Sequence, residues 1–100
     1  MLNQAVICGR LTDNPVINKN EKGKIKITLA IPRNYKNAED IYETDFITCE
    51  LWTGIAETVT KQCKKGDILG IKGRLETKDN QLILIAEKVS FLSCEKSGDK

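Results

Sequence analysis

The chain has one hundred residues, sixteen basic and fourteen acidic side chains, a net charge of +2 and no histidine, which describes one small domain resting on a single core. The near balance of charge excludes a broadly polycationic protein, so an anion-binding surface must come from local arrangement. No apolar run approaches the ~18 residues of a membrane span and the N-terminus lacks a signal pattern, which predicts a cytoplasmic protein without a membrane partner.

Residues 2–11 form an apolar-biased run (Leu2, Ala5, Val6, Ile7, Cys8, Leu11) that predicts a first strand. Pro15 marks a break or an edge, with Val16 and Ile17 as a continuation beyond it, and residues 18–23 have turn chemistry. From Lys24 to Ile31 the side chains alternate, with Ile25, Ile27, Leu29 and Ile31 on one parity. Residues 32–43 read as a polar loop opening with Arg33, Tyr35 and Lys36. A third strand follows from Thr44 to Trp52. Ile55, Ala56, Val59 and Cys63 then recur at helical spacing, which predicts a helix over 54–65, with Lys61, Lys64 and Lys65 at its C-terminal end and Gly66 as its cap. Period two returns over 67–75, with Leu69, Ile71 and Leu75 opposed to Lys72, Arg74 and Glu76. Residues 78–81 read as a tight turn, residues 82–92 as the last strand, and 93–100 as a short polar extension.

Five strands with the only helix between the third and fourth predict an all-β protein, the five-stranded Greek-key barrel of the OB-fold, over residues 1–92. A ferredoxin-like alternation would need a second helix where residues 18–23 leave no room.

The third strand carries the clearest functional signal. Ile47, Cys49 and Leu51 make an ordinary core stripe, while Phe46, Thr48, Glu50 and Trp52 share the other face. Two of the chain's five aromatics thus stand on a half-polar face, where rings suit a flat ligand. Phe46 and Trp52 should be roughly 20 Å apart along the strand, far enough to stack separate bases. Tyr35 opens the loop leading into the same strand. Base–aromatic stacking is worth about 1–3 kcal/mol per base and tolerates sequence. Lys72 and Arg74, with Lys26, Arg33 and Lys36, are candidate phosphate contacts, and Lys78 joins them at the tight turn. Glu50 is an awkward acid on such a face, expected to pair with a cation or to lie at a subunit contact.

Catalysis is not predicted. There is no histidine for general base work and no phosphate-cradling glycine loop. Cys8, Cys49, Cys63 and Cys94 are widely spaced, so neither a metal site nor a disulfide framework is expected. Cys49 and Cys63 fall in apolar stripes, Cys94 is the thiol expected to react, and no cofactor is implied.

The run from Asn3 to Thr12, followed by Asp13-Asn14-Pro15, resembles the opening of bacterial single-stranded DNA-binding proteins. So do Ile27-Thr28-Leu29-Ala30, Thr44-Asp45-Phe46-Ile47, Lys64-Lys65-Gly66-Asp67 and Gly73-Arg74-Leu75-Glu76-Thr77, in register as far as Leu92. The resemblance implies an OB barrel, usually a homotetramer, that binds single-stranded DNA without sequence preference in replication, recombination and repair. It also implies base stacking at Tyr35, Phe46 and Trp52, and strand contacts at Arg10, Arg33, Lys72 and Arg74. Two departures stand out. The family's longer hairpin between the fourth and fifth strands is here a minimal turn at 77–81. The chain also stops at Ser97-Gly98-Asp99-Lys100 without the family's acidic tip, which marks a compact variant, as of a mobile element, or a shortened chain, and gives no basis for tail-mediated recruitment. The shortened hairpin leaves dimer and tetramer both open. Alternatives are an OB protein-interaction module, such as a primosome accessory factor, and an RNA-binding OB domain.

Overall fold

The computed structural model describes residues 1–17 and 23–93. Its strands are β1 (Ala5–Leu11), β2 (Ile25–Lys36), β3 (Tyr42–Leu51), β4 (Ile68–Lys78) and β5 (Gln81–Phe91), with α1 (Thr53–Gln62) between β3 and β4. They close a barrel in the order β1-β2-β3-β5-β4, and only the β3–β5 ladder is parallel. Strand number, strand order and helix position are those of the OB-fold expected from the sequence.

The alternation of β2 and β3 dictates the core. Ile25, Ile27 and Leu29 lie directly opposite Leu51, Cys49 and Ile47. Leu69 and Ile71 of β4 and Leu84 and Ala86 of β5 join them, and Ala56 and Val59 of α1, with Cys63 just past its end, belong to the same cluster. Burial pushes the Cys49 thiol up to about 12, so it serves as a small hydrophobe.

Several boundaries differ from the sequence expectation. β1 starts at Ala5, not Leu2, because Met1 and Leu2 find no apolar surface and stay exposed. Asn3 clips that segment to β4 instead: its amide donates to the Leu75 carbonyl (2.9 Å) and accepts from the Leu75 N–H (2.8 Å). Val16 and Ile17 belong to no strand. Of the turn expected at 18–23 only Gly23 is described, and Cys94 with the rest of the tail lies outside the described residues.

The polar loop expected over 32–43 is largely strand. β2 continues through Pro32 to Lys36 and β3 begins at Tyr42. β1 pairs with β2 only at Ala30 and Leu29, so beyond Ala30 one edge of β2 is open and tolerates a proline. The two strands run on as an arm closed by Asn37, whose side-chain oxygen accepts from the N–H groups of Glu39 (2.8 Å) and Ile41 (3.0 Å).

The helix ends at Gln62, leaving only Lys61 in its last turn. Lys64, Lys65 and Gly66 form the next turn rather than a helical end and cap. The buried Asp67 carboxylate accepts from the Lys64 N–H (2.9 Å), and the Gly66 N–H donates to the Leu11 carbonyl (2.9 Å). The hairpin turn falls where expected. Asp79 and Asn80 both take positive φ (51° and 65°), the conformation that two-residue hairpins require. At Gly73 the β4–β5 register skips Glu87, and a Cβ there would sit 1.9 Å from the Ile85 carbonyl oxygen. Only glycine fits that bulge.

Candidate nucleic-acid interface

The outward row of β3 carries Phe46, Thr48 and Glu50 opposite Ala30, Thr28 and Lys26 of β2, and leads into Trp52. Phe46 is 65% exposed and Trp52 42%, so both rings offer surface that the core does not claim. Phe46 stands on the rim of an apolar hollow of about 550 Å³, lined among others by Ala5, Ile7, Ile47, Leu75, Leu82 and Leu84. Leu75, on the core parity of β4, therefore faces this hollow and is 36% exposed rather than buried. Tyr35 lies exposed on the arm, and so does Tyr42, which sequence reasoning passed over by treating its segment as loop.

At the other end of the row Glu50 is only 4% exposed. The Trp52 indole N–H donates to its Oε2, and the Lys78 ammonium donates to its Oε1 at 2.8 Å. The Lys24 ammonium stands 4.9 Å from the centroid of the Trp52 ring, within cation–π range. Burial alone would push the Glu50 carboxyl up; the bonds from Lys78 and Trp52 outweigh it and hold the acid below its ordinary range. The same contact raises the Lys78 pKa. Lys24 was legible only by counting register, since the pair Ile25–Leu51 sets it beside Trp52.

The candidate cations divide by what they already hold. Arg33 grips Asp45 with Nε (3.1 Å) and Nη2 (2.8 Å) and Glu43 with Nη1 (2.8 Å). The Asp45 carboxyl is accordingly lowered, chiefly by the Arg33 hydrogen bonds. Arg74 binds Glu76 at 2.7 Å and Glu87 at 3.4 Å. Lys36 pairs with Asp40 at 3.5 Å and lies 5.6 Å from the Tyr42 ring centroid. Arg10 donates to the Gly66 carbonyl (2.8 Å). Lys26 and Lys72 hold no ion pair among the described residues. Lys26 lies opposite Glu50 on the aromatic face, whereas Lys72 lies opposite Val6 of β1 and Lys88 of β5.

The profile of the single-strand binding protein family matches residues 2–90 of this sequence. The chain belongs to that family. Single-stranded DNA-binding protein B of Bacillus subtilis is 38% identical over 80 residues, spanning 78% of this chain and 71% of the relative. Single-stranded DNA-binding protein 3 of Listeria innocua is 35% identical over 109 residues, spanning 98% and 68%. The single-stranded DNA-binding protein of Enterococcus faecalis is 38% identical over 81 residues, and the chain covers 43% of that longer protein. A crystal structure of a small single-stranded DNA-binding protein from Streptomyces coelicolor superposes with a TM-score of 0.69 at 17% identity, covering 92% of this chain and 96% of that one, a likeness of fold. Among the described residues this family member has no cluster of side chains suited to a metal ion, and none of its helices is long and apolar enough to cross a membrane.

Proposed function

We propose that the chain is a non-catalytic protein that binds single-stranded DNA without sequence preference. It protects and organises unpaired strands during replication, recombination and repair, in the cytoplasm of a bacterium or in the service of a phage or mobile element. The observation that carries this reading is the exposure of Phe46 midway along β3 and of Trp52 just past its end, with Tyr35 on the adjoining arm. Rings so placed give separate bases of one strand stacking platforms that read no hydrogen-bond pattern. Membership of the single-strand binding family and the names of its relatives support the same reading.

Lys26 is offered to phosphate directly, and Lys72 from the neighbouring side of the barrel. Arg10, Arg33, Lys36 and Arg74 contribute by exchanging internal partners for phosphate, and Lys78 by holding Glu50 beside the rings, so fewer counterions are released than the number of cations suggests. A homo-oligomer, tetramer or dimer, belongs to the proposal. β1 pairs with β2 only at its last two residues, and the remaining open edge, with Val6 exposed, suits pairing with a second copy. Light scattering with and without dT oligomers reads that state and the site size.

The test of function is direct binding of a labelled dT oligomer at low and high salt, with rU oligomer and duplex DNA as competitors. Binding weakened by salt and resisted by duplex is expected. A clearly stronger hold on rU than on dT would move the assignment to RNA, since it would require recognition of the 2′-hydroxyl, which stacking and phosphate contacts do not read. Failure to bind any single strand would refute the proposal.

A further inference from the structure

We infer that Glu50 is a positioning residue of this interface, anchoring the Trp52 indole to the β4–β5 hairpin through Lys78. The inference rests on the single-strand reading above and concerns how its stacking ring is held.

An acid on the outward row of a nucleic-acid-binding strand should stand exposed and repel phosphate. Glu50 does neither. It is buried at 4% exposure, and each of its oxygens takes a hydrogen bond, one from the indole N–H and one from the Lys78 ammonium. A buried carboxylate persists only when paired in this way. Its two partners come from different places in the fold: Trp52 follows the end of β3 and caps α1, and Lys78 ends β4 where the hairpin turns.

Trp52 is consequently fixed at several points, one on its main chain and two on its ring. The Trp52 carbonyl accepts the first bond of the helix from the Ala56 N–H at 2.8 Å. Its ring N–H is held by Glu50, and Lys24 sits over the ring. A ring ordered before the ligand arrives gives up less rotamer freedom on stacking, which favours affinity. Lys78, meanwhile, is occupied with Glu50.

This role predicts a sign opposite to simple electrostatics. Removing a negative charge from a DNA-binding face should tighten binding. Removing the acceptor that orders Trp52 should weaken it. The variants Glu50→Ala and Glu50→Gln separate the two, because the glutamine amide oxygen still accepts from the indole while the charge is gone.

Trp52 is the only tryptophan, so time-resolved fluorescence anisotropy of the free protein reports its ring order without interference. In E50A the ring should gain fast local motion, and affinity for a dT oligomer should fall about three- to tenfold through lost preorganisation. In E50Q ring order should be kept, and binding should be at least as tight as in the unmodified protein, with Lys78 released towards phosphate. Binding by E50A as tight as, or tighter than, the unmodified protein would overturn the inference, as would E50Q loosening the ring as E50A does. If E50A fails to fold, the E50Q comparison decides alone. Absence of dT binding by the unmodified protein would refute the functional reading instead, while the anisotropy result would still report whether Glu50 holds the ring.

Discussion

Replacing Phe46 and Trp52 together by alanine removes the two rings that the account makes responsible for affinity. Base–aromatic stacking contributes about 1–3 kcal/mol per base. The rings stand six residues apart, Phe46 midway along β3 and Trp52 just past its end, so their losses should add, giving about 2–6 kcal/mol. At about 1.4 kcal/mol per tenfold, that range spans a roughly thirtyfold to 10⁴-fold loss. Phe46 is mostly exposed, whereas Trp52 already gives part of its ring to Lys24 and Glu50. A middle value of about a hundred- to thousandfold is therefore expected. The assay is fluorescence anisotropy of a labelled dT oligomer at fixed salt, since the variant lacks the intrinsic tryptophan. Thermal melts must show that the barrel still folds, because neither ring belongs to the core cluster. A folded double variant that binds within threefold of the unmodified protein would refute the stacking account.

The Gly73→Ala change should destabilise the fold by more than the ~1–3 kcal/mol usual for overpacking, because the new Cβ would meet a backbone oxygen at 1.9 Å; a melting temperature left unchanged would show that the bulge can relax. Asp45→Asn should loosen the two-pronged grip on Arg33 and leave Glu43 as its ion-pair partner, raising dT affinity and steepening the salt slope by up to about 0.7 for one more counterion released. An unchanged slope would place Arg33 off the strand's path. The folded-state pKa of Glu50 is depressed below its ordinary 4.5 and that of Asp45 below 3.8, so the unfolded chain binds more protons in that window. The stability these groups contribute is present above those values and lost as pH falls through the folded ones. Urea titrations from neutral pH downward should show stability declining below about pH 4.5, and E50Q should flatten that decline; an equal acid response in E50Q would contradict the role given to the Glu50 pair.

The barrel was legible because its inner rows are regular. Ile25, Ile27 and Leu29 against Leu51, Cys49 and Ile47 alternate without interruption, and the Ile55, Ala56, Val59 and Cys63 spacing marks the helix. The arm was hidden because its pairing covers no core: Arg33 and Asp45 continue the inner parity as an ion pair, and a polar row with Pro32 in it reads locally as loop. The ends of α1 and β1 were misjudged for a related reason, since Asp67 and Asn3 fix those boundaries by hydrogen bonds across distant segments. On the candidate interface, Phe46 and Trp52 stand out by parity and composition, whereas Tyr35 stands out only by its place ahead of the same strand. The Lys78–Glu50 bond and the carboxylates of Asp45 and Glu87 on Arg33 and Arg74 depend on which strands become neighbours. β3 meets β5 in parallel only once the barrel closes, and no local pattern announces that.

The central claim is that bases stack on the β3 face, and the lone Trp52 at its end gives the most direct reading of it. Titrating the protein with dT oligomers while following Trp52 fluorescence should give saturable quenching that weakens as salt rises. DNA that binds by an independent measure yet leaves Trp52 fluorescence unchanged would contradict the claim.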